Sequence, residues 1–262
     1  QATSTKKQWE AMVFCERARF FEDALEALRT NQTAGNLDLS KSGLDPIDAV
    51  ELGKALRGNK SLRTNLNLDS NYLGDEGAKI LAEALCDNEC LRQVNLSENE
   101  IGAAGAAALA EAFKVNTHLR QLKLDGNRLG AEGARCIAGA LEVCDDFQEL
   151  WMSQNDIGAE GAAALAEALK VNKSLGQLYL RQNNIGPKGA AALAEALKVN
   201  DTLRQLILSR NAILDDGIIA LAEGLKANTN LKQLDLALNR CGGPGVRALK
   251  AAMEANTSLT HM

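Results

Sequence analysis

Seven asparagines, Asn71, Asn99, Asn127, Asn155, Asn183, Asn211 and Asn239, follow one another at intervals of 28 residues without a slip. No other feature constrains the fold as strongly, because a chain that rewrites one unit in phase must stack that unit on itself. Ahead of each Asn runs the same frame: an apolar residue, a spacer, a second apolar residue, two spacers, then Asn. Leu122-Lys123-Leu124-Asp125-Gly126-Asn127 and Leu206-Ile207-Leu208-Ser209-Arg210-Asn211 are examples. Leu37-Asp38-Leu39 fits the frame with Ser42 in the Asn slot, one residue further from its successor. This predicts eight full units over 34–258, with 259–262 opening a truncated ninth.

Each unit has two halves of different period. The Leu-x-Leu half alternates as a short strand does, and a second half such as Gly161-Ala162-Ala163-Ala164-Leu165-Ala166-Glu167-Ala168-Leu169-Lys170 spaces Ala and Leu as a helix does. A strand and a helix this short bury their leucines only against the next copy. The expected fold is therefore an α/β solenoid, a horseshoe with a parallel sheet inside and the wider helices outside. A glycine column (Gly77, Gly105, Gly133, Gly161, Gly189, Gly217, Gly245) marks where one helix start approaches the next. The Asn column suits a buried turn, its amides serving backbone groups of the adjoining layer. A second Asn column (Asn59, Asn88, Asn116, Asn172, Asn200, Asn228, Asn256), interrupted by Cys144, closes each helix, where a left-handed Asn is expected.

Residues 1–33 lie outside the frame. Trp9, Met12, Val13, Phe20, Phe21, Leu25 and Leu28 recur at roughly helical spacing, which predicts a helical cap over the first unit. Glu10, Glu16, Glu22 and Asp23 make that stretch a poor ligand for an anionic membrane. The chain starts at Gln1 with no apolar leader, so it reads as a processed or excised piece.

Hydrophobic residues make up 46% of the chain but aromatics only 3%, which suits many thin Leu/Ala layers. A net charge of −5 argues against nucleic acid, whose phosphates call for a basic stripe. No apolar run is long enough to insert in a membrane. The six cysteines form no CxxC pair and no framework, which favours reduced thiols and a cytoplasmic setting. Asn-x-Ser/Thr triplets such as Asn59-Lys60-Ser61 fall at one repeat position and read as repeat consensus.

The period, with segments of the form Leu-x-x-Leu-x-Leu-x-x-Asn-x-Ile-Gly-x-x-Gly-Ala-x-x-Leu-Ala-x-Ala-Leu, resembles the ribonuclease-inhibitor-like class of leucine-rich repeats. Residues 175–198 lie close to that pattern. The class includes ribonuclease inhibitors, sensor domains of NOD-like receptors and Ran GTPase-activating proteins. The alternating long and short repeats of ribonuclease inhibitors are missing. What the resemblance implies is a horseshoe that binds a protein, as a scaffold within a larger protein or assembly, with no cofactor and no small-molecule substrate. GTPase activation of the Ran-specific type is the alternative, with Arg181 or Arg210 lending charge to a transferring phosphate. A structural subunit docking through its C-terminal end is another.

Catalytic and metal chemistry find little support. His118 falls in a loop after a helix, and His261 is the second and last histidine. Cys90, His118 and Asp146 share one slot in successive units, near Cys86 and Cys144, but that slot elsewhere holds Ser174, Thr202 and Asn230. Gly242-Gly243-Pro244-Gly245 lacks the Lys-Ser/Thr of a phosphate loop. No enzyme site and no metal site is expected.

The inner face is where the units differ. Residues between the core leucines point into the concave surface and read Asp38, Asn67, Asn95, Lys123, Trp151, Tyr179, Ile207, Asp235. Trp151, Tyr179 and Ile207 are predicted to form an exposed apolar stripe. Lys123, Asp125 and Glu149 stand to one side of it, and Arg181, Arg204 and Arg210 to the other. Aromatics with Arg inside a polar rim are the usual make-up of a protein-binding hot spot.

Overall fold

The computed structural model describes residues 19–261. A first helix covers 19–29 (α1). Strand and helix then alternate: β1 (Asn36–Asp38), α2 (Pro46–Gly58), β2 (Asn65–Asn67), α3 (Gly74–Asp87), β3 (Gln93–Asn95) and α4 (Ala103–Val115). The order continues with β4 (Gln121–Lys123), α5 (Gly130–Leu141), β5 (Glu149–Trp151), α6 (Gly158–Val171), β6 (Gln177–Tyr179) and α7 (Gly186–Leu197). It ends with β7 (Gln205–Ile207), α8 (Leu214–Ala227), β8 (Gln233–Asp235) and α9 (Gly243–Ala255).

The strands form one open parallel sheet in chain order, each shifted one whole unit from the last, so that Leu150 pairs with Leu178 and Leu178 with Leu206. Each helix from α2 to α9 packs on the next. Strands sit ~4.8 Å apart and helices ~8–10 Å apart, so the stack curves with its sheet inside. The chain is an α/β solenoid. The apolar residues either side of the concave positions, such as Leu122, Leu124, Leu178 and Leu180, are buried in one continuous core, with Leu37 and Leu236, at the two end strands, only partly buried.

In α1, Phe21, Ala24, Leu25 and Leu28 join that core at helical spacing, while Phe20 is 52% exposed. Adjacent helical residues point about 100° apart, so only one of the two phenylalanines can face inward. Trp9, Met12 and Val13 lie outside the described residues, as do Cys15 and Met262.

Two asparagine ladders satisfy the polar backbone between layers. In the first, Asn183 Nδ2 donates to Met152 O at 2.8 Å, and its Oδ1 accepts from Asn155 N at 2.8 Å. Asn211 repeats the pattern one layer on, donating to Leu180 O at 2.7 Å and accepting from Asn183 N at 2.8 Å. The second ladder corrects the sequence-based expectation of a left-handed cap. Asn116, Asn172 and Asn228 are extended, with φ of −81°, −64° and −80°. Their work is done by the side chain: Asn172 Oδ1 accepts from Ser174 N and Leu175 N, and Nδ2 reaches Leu141 O in the layer before.

Cys144 breaks this second ladder. Its Sγ donates to Phe113 O at 3.0 Å, taking the place of Nδ2, but a thiol carries nothing equivalent to Oδ1. Phe147 stacks on Phe113 with ring centroids 5.7 Å apart, beside a pocket of about 160 Å³. Cys144→Asn is expected to stabilise the chain by about 1–2 kcal/mol by giving the amides of Asp146 and Phe147 an acceptor. Urea denaturation checks this, and a loss of stability would mean that the aromatic pair has closed the space an Asn needs.

Candidate functional site

The eight concave positions are in register across the sheet, so their side chains form one row from Asp38 to Asp235. The two halves of the row behave differently. Early in it, Asn67 Nδ2 donates to Asp38 Oδ1 at 3.0 Å and Asn95 Nδ2 to Asn67 Oδ1 at 2.9 Å, a polar ladder that spends its groups internally. Later, Lys123 Nζ lies 4.1 Å from the centroid of the Trp151 ring, and Trp151 stacks on Tyr179 with centroids 3.9 Å apart at 21°. The indole is thus held between a cation and a phenol ring, both favourable to its π face.

This stacking alters the exposed stripe expected from sequence. Trp151, Tyr179 and Ile207 are half-buried, because side chains in neighbouring strands cover one another's faces and leave their upper edges to solvent. The Trp151 Nε1–H is buried without a hydrogen-bond partner among the described residues. The most exposed large apolar side chains lie elsewhere: Ile47, Tyr72 and Leu238, and Val115, Val143, Val171 and Val199 at the helix ends.

A second concave column, one position ahead of the first core leucine, was overlooked in the sequence. It reads Gln93, Gln121, Glu149, Gln177, Gln205, Gln233, and its 28-residue spacing was there to be found. Glu149 accepts from Gln121 Nε2 at 2.8 Å and from Gln177 Nε2 at 3.1 Å, and Tyr179 OH donates to Gln177 Oε1 at 2.9 Å. These bonds fix the phenol against the indole. Burial, aided by the Glu149 charge, raises the Tyr179 hydroxyl above its ordinary value, so the ring stays neutral and donating.

Beside the stack opens a hollow of about 590 Å³ whose walls include Asp125, Trp151, Tyr179, Arg181, Ile207 and Asp235. Lys123 caps Trp151, and Glu149 anchors the stack through Gln177. The other two arginines of the expected rim stand apart. Arg204 turns to the loop before β8, donating to Asn230 O at 3.2 Å. Arg210 lines a neighbouring hollow of about 500 Å³ with Gln182, Leu238 and Arg240. The cause is their place in the unit, one before the strand and one beyond it.

Asp125 is the perturbed carboxylate of the site. Burial pushes it above its ordinary value, against the pull of a 2.6 Å bond from Ser153 N and the charge of Lys123. The folded chain therefore holds this proton more tightly than the unfolded chain. The ionised carboxylate costs stability above the window between the ordinary and the raised value, and that cost fades as pH falls through it. Asp125→Asn keeps an oxygen for Ser153 N–H and is expected to raise the melting temperature at neutral pH, by less as the pH drops into that window. A gain independent of pH would rule out the buried charge as its source.

Among the described residues, no three His, Cys, Asp or Glu side chains gather closely enough to hold a metal ion, the Cys90, His118 and Asp146 row included. His118 is exposed in its loop, and His261 forms a single parallel bridge with Gln233. At the Gly242–Gly245 turn, the N–H groups of Gly242 and Gly245 already donate to Asp215 Oδ1 of the preceding unit, at 2.7 and 3.0 Å. No helix of the described residues is long and apolar enough to cross a membrane.

An open parallel sheet backed by helices, with buried Leu and Asn columns and a variable inner row, defines a leucine-rich-repeat solenoid. The leucine-rich repeat family profile matches residues 87–110, 115–138, 146–166, 171–194, 199–222 and 227–250, more than half of the chain, and the protein belongs to that family. Among solved structures, the chain is similar to leiomodin-1 actin-binding site 2, at 23% identity over 50% of this chain and 78% of that one, with a TM-score of 0.48. It is also similar to the C-terminal domain of tropomodulin from Caenorhabditis elegans, at 20% identity over 58% and 93%, with a TM-score of 0.49. No curated protein sequence matches it.

Proposed function

We propose that this chain is a non-enzymatic interaction module that holds a protein partner on the concave face formed by β5, β6 and β7. The observation that carries this reading is the Trp151–Tyr179 stack, which leaves aromatic edges along the wall of a charged hollow. Buried, pre-packed aromatics lose little side-chain entropy on binding, and for that reason they dominate interface energies. Trp151, Tyr179 and Ile207 form the apolar centre. Lys123, Asp125, Glu149 and Arg181 surround it, with Arg204 and Arg210 on the margins beyond.

The unit length and the full helix in every unit support the ribonuclease-inhibitor-like class of repeats. The burial of Phe21, Leu25 and Leu28 supports a cap over 1–33, and the bridge at His261 supports 259–262 as the start of a ninth unit. Free thiols at Cys86, Cys90, Cys136, Cys144 and Cys241 support a reducing, cytoplasmic setting.

Affinity capture tests the proposal. Trp151→Ala with Tyr179→Ala is expected to lower recovery of a captured partner by about 100-fold or more, at ~2 kcal/mol or more per hot-spot aromatic, with circular dichroism unchanged. Undiminished capture by a folded double variant would overturn the concave face as the binding surface.

A further inference from the structure

We propose that the partner is recognised through an acidic, extended segment, with an apolar side chain against Trp151, Tyr179 and Ile207 and a carboxylate between Arg210 and Arg240. This rests on the concave-face reading above and adds the chemistry of what fills it.

The face leaves some of its charged groups without partners. In the early layers the concave groups satisfy one another, as in the Asp38–Asn67–Asn95 ladder. On the same margin as Arg210, Arg128 of an earlier layer is paired with Glu100 at 3.3 Å. In the later layers this balance fails in one direction. Arg181, Arg210 and Arg240 are exposed and make no ion pair among the described residues.

Each carboxylate that lines the first hollow accepts a backbone N–H, and none lines the second, whose charged residues are Arg210 and Arg240 alone. Asp125 Oδ1 accepts from Ser153 N at 2.6 Å, and Asp235 Oδ1 from Ala237 N at 2.9 Å. The second hollow therefore holds two guanidiniums with no counter-charge among the described residues, and Arg181 stands exposed at the first. A partner that completes the face must bring acceptors.

Position narrows the chemistry further. Arg181 and Gln182 are chain neighbours, as are Ser209 and Arg210, so the hollow beside the aromatic stack adjoins the one lined by Arg210, Leu238 and Arg240. Two guanidiniums in one hollow repel each other until a carboxylate bridges them, and the planar fork of Arg suits a carboxylate. A basic segment would meet all three arginines. The apolar wall and the arginine pair lie side by side, which fits an extended segment with an apolar and an acidic residue close in sequence.

Fluorescence anisotropy with short labelled peptides of equal length tests this on the full chain. One peptide combines Glu with Leu and Phe, a second replaces Glu by Lys, and a third replaces Glu by phosphoserine. The Glu peptide is expected to bind about tenfold or more tighter than the Lys peptide and to weaken as salt is added. Arg210→Glu with Arg240→Glu is expected to abolish or invert that preference, and Trp151→Ala to weaken the Glu peptide while circular dichroism stays unchanged. Equal or tighter binding of the Lys peptide overturns the proposal, as does a preference that survives the arginine changes. A phosphoserine peptide preferred by about tenfold would overturn the carboxylate in favour of phosphate. If capture of a natural partner needs Trp151 and Tyr179 but its bound segment is basic, the concave-face reading stands and this inference alone falls.

Discussion

Replacing Asn183 by Leu is expected to cost the chain about 4 kcal/mol of stability. Asn183 is completely buried, and its amide satisfies Met152 O and Asn155 N at 2.8 Å each, with longer contacts to Arg181 O and Ile157 N at 3.4 Å. Leucine has nearly the same shape and restores none of these bonds. Each buried backbone group left alone costs about 1–3 kcal/mol, and two are fully orphaned. Asn184, its neighbour, is exposed and bonds only to the Asp156 side chain, so Asn184→Leu serves as the control, with a cost of only about 1 kcal/mol from its left-handed backbone at φ 55°. Thermal and urea unfolding followed by circular dichroism measure both. A cost for Asn183→Leu below about 1 kcal/mol would mean that water replaces the amide, and the ladder would lose its role.

Gly189→Val is the second large effect, at about 3 kcal/mol of destabilisation. A Cβ there would lie 2.6 Å from Ile185 Cγ2, 3.0 Å from Ala162 Cβ and 3.2 Å from the backbone Cα of Ala159. The last contact is with the preceding helix itself, which can yield only by moving the layer. Overpacking of this kind costs about 1–3 kcal/mol, and the second and third carbons of Val push it to the upper end. Removing a helical glycine returns up to ~1 kcal/mol, too little to change the sign. Gly139 provides the contrast. It lies in α5 with open space where its Cβ would stand, so Gly139→Ala is expected to raise the melting temperature slightly. Equal responses at the two glycines would show that helix spacing does not limit this position.

Spacing made much of this architecture legible before any coordinate. Asn183 and Leu178 recur at fixed intervals, and only a stacked unit satisfies both columns at once. Alternation placed Trp151, Tyr179 and Ile207 on one face for the same reason. Orientation within a layer is another matter. Spacing could not say that Phe21 turns inward and Phe20 outward, nor that Asn172 closes its helix from an extended backbone through side-chain bonds. Arg204 and Arg210 flank the same strand in sequence, yet the chain turns away at both ends and carries them to opposite margins. The glutamine column escaped notice because its residues are polar and unvaried, and their value lies in the contacts they make with Glu149 and Tyr179.

The asparagine ladders also determine how the molecule responds to tension. Every bond they make between layers reaches only the adjoining unit, as in Asn183 to Met152, which spans 31 residues of chain, and Asn155 to Asn183, which spans 28. Among the described residues no such bond ties one end of the stack to the other, so a pull on its two ends loads the layers in series and peels them singly from the weaker end. The two adjoining hollows, one at Trp151 and the other at Arg240, need several consecutive layers in place. A partner laid along them would therefore act as a splint, and the docked chain would resist extension where the free chain unzips.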